Sequence, residues 1–76
     1  MDNQFHTLEN LFTQLGLDND PQAIRRFIHL HRLQEYETIE NAPFWTPAQA
    51  AFIRECLAED SDWAEVVDQL NAQLRL

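Results

Sequence analysis

Apolar residues recur every three or four positions along most of this 76-residue chain, the spacing that places them on one face of an α-helix. Four segments carry the pattern, at about residues 8–15, 21–32, 47–59 and 61–74. Gly16 is the only glycine, which argues against tight β-hairpins and against glycine-rich phosphate loops. The pattern predicts an all-α fold, a small irregular or orthogonal bundle of about four short helices in a single domain over residues 1–76.

Residues with strong capping preferences precede each predicted helix. Helix starts are predicted at Thr7, at Asp20 with Pro21, at Thr46 with Pro47, and within residues 60–62. The stretch from Thr46 to Gln49 has the form of a capping box, in which each of these two side chains bonds the other's backbone N–H. Gly16 follows the first helix, at the position where a left-handed residue commonly ends a helix.

The apolar faces of the third and fourth helices differ in width. The third helix carries a wide arc, formed by Phe52, Ile53, Cys56 and Leu57. The fourth helix carries a narrow stripe, formed by Trp63, Val66, Val67, Leu70 and Leu74. A wide arc indicates contact with two neighbours and a narrow stripe indicates contact on one side. We therefore expect the third helix to lie at the centre of the bundle.

Residues 33–45, between the second and third helices, have no clear helical period and predict a loop with one helical turn. The segment ends in two adjacent aromatic residues that cannot easily both point inward, and Trp is enriched at binding hot spots. We predict a candidate interaction surface formed by Tyr36, Ile39, Phe44 and Trp45. The alternative is structural: Trp45 packs as a staple against Ala50, and Phe44 fills the core. The residues alone leave both interpretations open.

Charge and cysteine content narrow the classes of function. The formal net charge is −8, and all five basic residues are arginine. Such an acidic surface repels phosphate backbones, so we expect no nucleic-acid partner. Cys56 is the only cysteine, and no signal peptide or run of about 20 apolar residues is present. We therefore expect a cytoplasmic protein with no membrane association.

Residues that could support chemistry are few, and each has a structural explanation. His29 and His31 are two positions apart, so they point to nearly opposite sides of a helix. His31 is expected in the apolar stripe of the second helix, as a core or boundary residue with one satisfied ring nitrogen, and His29 on the outer face. Cys56 lies on an apolar arc, which predicts a small buried side chain rather than an activated thiol. The acidic stretch 18–20 is explained by helix capping. We predict no enzymatic activity, no catalytic or metal-binding residues and no cofactor.

Two stretches resemble the signature of a known family: APFWTPAQAAF at residues 42–52 and DWAEVVDQL at residues 62–70. Residues 6–17 fit the same pattern, and residues 33–40 fit it least well. The chain resembles, over nearly its whole length, a short proteobacterial family catalogued as domain of unknown function 2789. The resemblance implies a stand-alone bacterial cytosolic protein, and it implies no activity.

Three hypotheses of function follow, from different classes. The first is a non-enzymatic protein-interaction module, either a homodimer or an adaptor that binds another protein. The second is a small-ligand or metal-binding helical domain, with His31 lining an internal site. The third is an acidic regulator that covers a basic protein surface, which would require carboxylates arranged in a stripe.

Overall fold

The computed structural model describes residues 7–59 and 61–75, and within these residues the fold is entirely helical. Its elements are α1 (Leu8–Gln14), α2 (Pro21–Leu30), a short 3-10 helix (Ile39–Asn41), α3 (Pro47–Glu59) and α4 (Ser61–Leu74). The prediction of a small all-α bundle of four short helices is therefore confirmed. The predicted helical turn between α2 and α3 is the 3-10 helix.

Helix α1 begins and ends at the predicted residues. The hydroxyl of Thr7 accepts a hydrogen bond from the backbone N–H of Asn10 at 3.2 Å. At the other end, Gly16 adopts a φ of 76°, a left-handed conformation that costs glycine nothing. The next N–H, that of Leu17, then reaches back to the carbonyl of Phe12 at 2.9 Å. This pair of features is a Schellman motif, and it directs the chain from α1 towards α2.

Helices α2 and α3 also begin at the predicted caps. The Asp20 carboxylate accepts from the N–H of Ala23 at 3.4 Å, and Pro21 occupies the first helical position. In the capping box of α3, Thr46 Oγ1 accepts from the Gln49 N–H at 3.1 Å, and Gln49 Oε1 accepts from the Thr46 N–H at 3.0 Å. Helix α4 begins at Ser61, and its cap position, residue 60, lies outside the described residues.

Helix α4, rather than α3, occupies the centre of the bundle. It packs against α1, α2 and α3, whereas α3 packs mainly against α4 and the 3-10 helix. The stripe on α4 is narrow but mostly enclosed; Val66, Val67, Leu70 and Leu74 are buried, and Trp63 is half-buried. On α3, Leu57 remains 36% exposed at the edge of the arc. The expected contact of α3 with two neighbours is confirmed, but its expected central position was wrong, because three helices share the narrow stripe of α4.

The loop after α2 crosses the end of α4. The N–H of Leu33 donates to the carbonyl of Leu74 at 3.0 Å, and the Leu33 side chain is buried. Further along, the indole Nε1 of Trp45 donates to the carbonyl of Ile39 at 2.8 Å. Residues 33–45 are therefore held to the core at both ends, although their sequence has no helical period.

Candidate functional site

The structure separates the four residues of the predicted interaction surface. Ile39 and Trp45 lie in the core, with 4% and 8% of their surface exposed, and Phe44 is half-buried. Tyr36 is 84% exposed. In this conformation the predicted surface is reduced to Tyr36 and the outer edge of Phe44. The burial of Trp45 agrees with the alternative interpretation, in which this residue packs within the fold.

Phe27 of α2 is the centre of an aromatic cluster that includes Trp45. Its ring centroid lies 5.3 Å from that of Phe12 and 5.8 Å from that of Phe44, both in edge-to-face geometry. Trp45 stacks on it at 5.6 Å with an interplanar angle of 22°. His31 stacks on it at 4.1 Å. Each such pair contributes about 0.5–1.5 kcal/mol beyond the area it buries, so the cluster fixes α2 against the start of α3.

His31 is the residue that ends α2. Its Nδ1 lies 2.9 Å from the carbonyl oxygen of Phe27, and its backbone N–H donates to the same oxygen at 3.0 Å. Because a carbonyl only accepts, Nδ1 must carry the proton in the neutral ring. The side chain is half-buried, as expected for a histidine at the edge of the core with one satisfied ring nitrogen. His29 is exposed on the outer side, also as predicted.

An open groove runs along the other side of the aromatic cluster, between the end of α1 and helix α2. It has a volume of about 220 Å³. Its apolar and aromatic lining residues are Phe12, Leu17, Ala23, Phe27, Leu30 and His31, and its charged lining residues are Asp18 and Arg26. We call this feature the α1–α2 groove. Leu30 on its rim is 69% exposed, the most exposed large aliphatic side chain among the described residues.

Sequence reasoning missed Leu30, although a signal was available. The apolar stripe of α2 is formed by Ile24, Phe27 and Ile28. Leu30 lies about 120° away from the middle of that stripe, so its side chain cannot join the same buried face. Leu30 is four positions from Arg26 and three from Phe27, spacings that make helical residues neighbours. An apolar residue outside the stripe was therefore the available signal for an exposed apolar position on α2.

The basic residues are concentrated on and just after α2, and Arg26 is the arginine that lines the groove. Three of the five arginines in the chain, Arg25, Arg26 and Arg32, lie on or just after α2, and all three are exposed. We call them the α2 arginines. Among the described residues, no hydrogen bond or ion pair engages their guanidinium groups.

The two nucleophile or base candidates face different cavities. His31 lines the α1–α2 groove, whereas Cys56 lies against a second cavity of about 230 Å³ formed by α3 and the start of α4. Cys56 is buried, as predicted. Within the described residues, no three His, Cys, Asp or Glu side chains are grouped closely enough to hold a metal ion. The structure therefore does not bring His31 and Cys56 into one site.

Arg75, at the end of α4, holds the loop that carries Tyr36. Its guanidinium donates to the carbonyl of Gln34 at 3.0 Å and to the carbonyl of Glu37, and its Nε donates to the Asn71 side chain at 3.1 Å. Glu37 closes the loop locally by accepting from the Gln34 N–H at 2.9 Å. These contacts were not predicted, because Arg75 and its loop partners are 38 and 41 positions apart.

Comparison with known proteins is consistent with this description. A family model described as "Protein of unknown function (DUF2789)" matches residues 1–74. The chain belongs to the DUF2789 family. The resemblance carried by residues 42–52 and 62–70 is thereby confirmed.

A solved structure shows the same fold as this DUF2789 member. It is the solution NMR structure of protein CV0237 from Chromobacterium violaceum, which is 49% identical in sequence. The match covers 99% of this chain and 95% of the other, with a TM-score of 0.82. A search of curated proteins gave no match. The family and its solved relative therefore support the fold and assign no activity.

The helices of this DUF2789 member were also compared with the requirements of a membrane span. In the described part of the chain, none is both long enough and apolar enough to cross a bilayer.

Proposed function

We propose that this DUF2789 protein is a non-enzymatic, cytoplasmic protein-interaction module that binds a partner protein through the α1–α2 groove. The observation that carries the proposal is the exposure of Leu30, 69% of whose surface is accessible on the rim of an apolar groove. A single exposed leucine is ordinary on a protein surface. Here it shares the groove with Leu17 and Phe27, which are each half-buried, and contiguous apolar surfaces commonly mark interaction sites.

The size of the groove favours a protein partner over a small ligand. Pockets for drug-sized molecules usually enclose roughly 300–1,000 Å³ and cover most of the ligand. The α1–α2 groove has a volume of about 220 Å³ and is open to solvent. A groove of this size suits one large side chain projecting from a partner surface, which is how binding hot spots commonly pack.

The net charge favours a different protein as partner over a second copy of this chain. Each copy has a net charge of −8, so two copies repel each other, most strongly at low salt. The homodimer is therefore the less favoured form of the proposal, and sedimentation of the purified protein over a range of concentrations tests it directly.

The proposal is tested with two matched substitutions, Leu30→Ser and Leu57→Ser. Both remove a partly or largely exposed leucine from a helix, but only Leu30 lies at the groove. Full-length wild type and both variants are immobilised and incubated with lysate of the source cell, and bound proteins are quantified by mass spectrometry. We expect wild type and Leu57→Ser to retain the same partner and Leu30→Ser to lose most of it.

Retention of the same partner by all three proteins would show that the groove is not the binding surface. The same would follow if Leu57→Ser lost the partner and Leu30→Ser kept it. Far-UV circular dichroism of each variant confirms that the helices are intact before binding is compared.

A further inference from the structure

We propose that the cavity between α3 and the start of α4 binds an arginine side chain of a basic partner protein. We call this feature the α3–α4 cavity. It has a volume of about 230 Å³, and its lining residues are Phe52, Glu55, Cys56, Glu59 and Trp63. It shares no lining residue with the α1–α2 groove, so the inference goes beyond the proposed function and does not depend on it.

The charged residues of the α3–α4 cavity are both negative. Glu55 and Glu59 are four positions apart, so their carboxylates lie on the same face of α3. Of the described residues that line the cavity, none is basic. Arg54 is two positions from both Phe52 and Cys56, so it lies on nearly the opposite side of the helix. The lining and the net charge of −8 therefore both favour a cation.

No side chain in the described part of the chain neutralises these carboxylates. Glu55 and Glu59 are exposed, and no hydrogen bond or ion pair with the described residues engages either of them. Carboxylates elsewhere in the fold do have such partners, since Asp20 caps α2 and Glu37 closes its loop. Glu55 lies in the interior of α3, where it cannot cap the helix. Both carboxylates are therefore available to a bound cation.

Two aromatic rings lie beside the carboxylates. Phe52 and Trp63 are half-buried in the wall of the cavity, and their ring centroids lie 6.2 Å apart in edge-to-face geometry. An aromatic ring attracts a cation to its face, and tryptophan does so most strongly. The combination of rings and carboxylates favours an organic cation, because its carbon atoms also gain from burial against the rings.

The chemistry of the lining selects arginine over lysine. A guanidinium presents a planar fork of donors, which can meet a carboxylate through two parallel hydrogen bonds. The same plane stacks on an aromatic face. A lysine ammonium is a compact point charge that offers neither the fork nor the plane. A site that holds carboxylates and aromatic rings together therefore binds a guanidinium best.

The size and the surroundings of the cavity favour a side chain of a protein over a free ligand. Pockets for drug-sized molecules usually enclose roughly 300–1,000 Å³, whereas this open cavity has a volume of about 230 Å³. Asp62, next to Trp63 at the start of α4, is exposed and extends the negative surface beyond the cavity. Further cations on the same protein segment gain from that charge, and a lone small cation inside the cavity does not.

The probes are short peptides of glycine and serine that carry three arginine, three lysine or three citrulline residues. Citrulline has the shape of arginine but no charge. Each peptide carries a fluorophore, and its dissociation constant for the full-length protein is measured by fluorescence anisotropy. We expect the arginine peptide to bind most tightly, the lysine peptide about threefold more weakly and the citrulline peptide about tenfold more weakly.

Matched variants locate the bound arginine. Glu55→Gln and Glu59→Gln are each expected to weaken binding of the arginine peptide about fivefold, which corresponds to about 1 kcal/mol. Glu35→Gln makes the same change of charge at an exposed residue of the loop after α2, and it is expected to bind as wild type. Leu30→Ser, which alters the α1–α2 groove, is also expected to bind as wild type.

The two tryptophans give a direct readout of the site. Trp63 lines the cavity, whereas Trp45 is buried in the core. In the nitrogen–proton spectrum of labelled protein, the arginine peptide is expected to shift the indole N–H signal of Trp63 and to leave that of Trp45 in place. Trp63→Leu keeps an apolar side chain but removes the ring, and it is expected to weaken binding about fivefold. Far-UV circular dichroism confirms that this variant is folded.

Several results would overturn the inference and leave the proposed function standing. Equal binding by wild type, Glu55→Gln and Glu59→Gln would assign the attraction to diffuse charge. Equal binding of the arginine and citrulline peptides, absence of binding, or shifts confined to the α1–α2 groove would also overturn the site. Free spermidine that shifts the Trp63 indole signal and binds as tightly as the arginine peptide would make a small amine the ligand, and it would overturn the protein partner.

Discussion

The side chain of Trp45 stabilises the core in two ways. Its ring stacks on Phe27, and its indole N–H satisfies the carbonyl of Ile39 in a buried position. A buried carbonyl without a donor carries a desolvation cost of about 1–3 kcal/mol. The residue therefore joins α2, the 3-10 helix and the start of α3 through a combination of packing and hydrogen bonding.

Trp45→Phe tests this double role. Phenylalanine keeps an aromatic ring in the cluster but removes the N–H, so the Ile39 carbonyl loses its donor. We expect the free energy of unfolding in urea, measured by far-UV circular dichroism, to fall by about 1–3 kcal/mol. Tyr36→Phe, at a residue that is 84% exposed, is the control and should leave the midpoint unchanged. Equal midpoints for the two variants would show that the indole hydrogen bond contributes nothing.

At the scale of single residues, the sequence predicts some roles and not others. The roles of Thr7, Gly16 and the Thr46–Gln49 pair were predictable, because capping depends on residues within four positions of each other. Whether Trp45 is buried or exposed was not predictable, because its burial depends on Phe27, 18 positions earlier. Local chemistry is encoded by spacing, whereas burial depends on the arrangement of distant segments.

At the scale of elements, the hydrophobic pattern predicted the helices but did not predict how they are arranged relative to each other. Helix α4 is central because three other helices pack against its narrow stripe, and the width of a stripe does not reveal how many helices share it. The Arg75 contacts are a second example, since they connect the end of α4 to the loop at residues 34–37. Every residue has a backbone carbonyl, so the acceptors of that loop cannot be recognised from its sequence.

Arg75→Lys tests whether the end of α4 holds the loop. Lysine keeps the charge but lacks the planar fork that reaches the carbonyls of Gln34 and Glu37 together. We expect hydrogen exchange of the Leu33 and Glu37 amides to become about 3- to 15-fold faster, equivalent to the loss of about 0.7–1.6 kcal/mol of local stability. Arg54→Lys, on the exposed side of α3, is the control. Unchanged exchange at both amides would show that Arg75 does not stabilise the loop.

At the scale of the whole molecule, the described residues divide between a closed core and one open apolar feature. Aliphatic and aromatic residues from all four helices enclose the core, and His31 and Cys56 face different cavities. The sequence predicted the fold class, the helix starts and the family, since these depend on period, caps and matched stretches, whereas α2 ends at Leu30, two residues before its predicted end. It did not predict the α1–α2 groove, because the groove arises only when the end of α1 lies beside α2.

The central claim is that Leu30 is exposed for binding and contributes little to folding. The free energy of unfolding of Leu30→Ser, measured in urea and compared with partner capture by the same preparation, tests the claim most directly. The account predicts a free energy within about 0.5 kcal/mol of wild type, as for surface substitutions, together with loss of the partner. A loss of about 2–5 kcal/mol, as for truncation of a core leucine, or capture equal to wild type would contradict it.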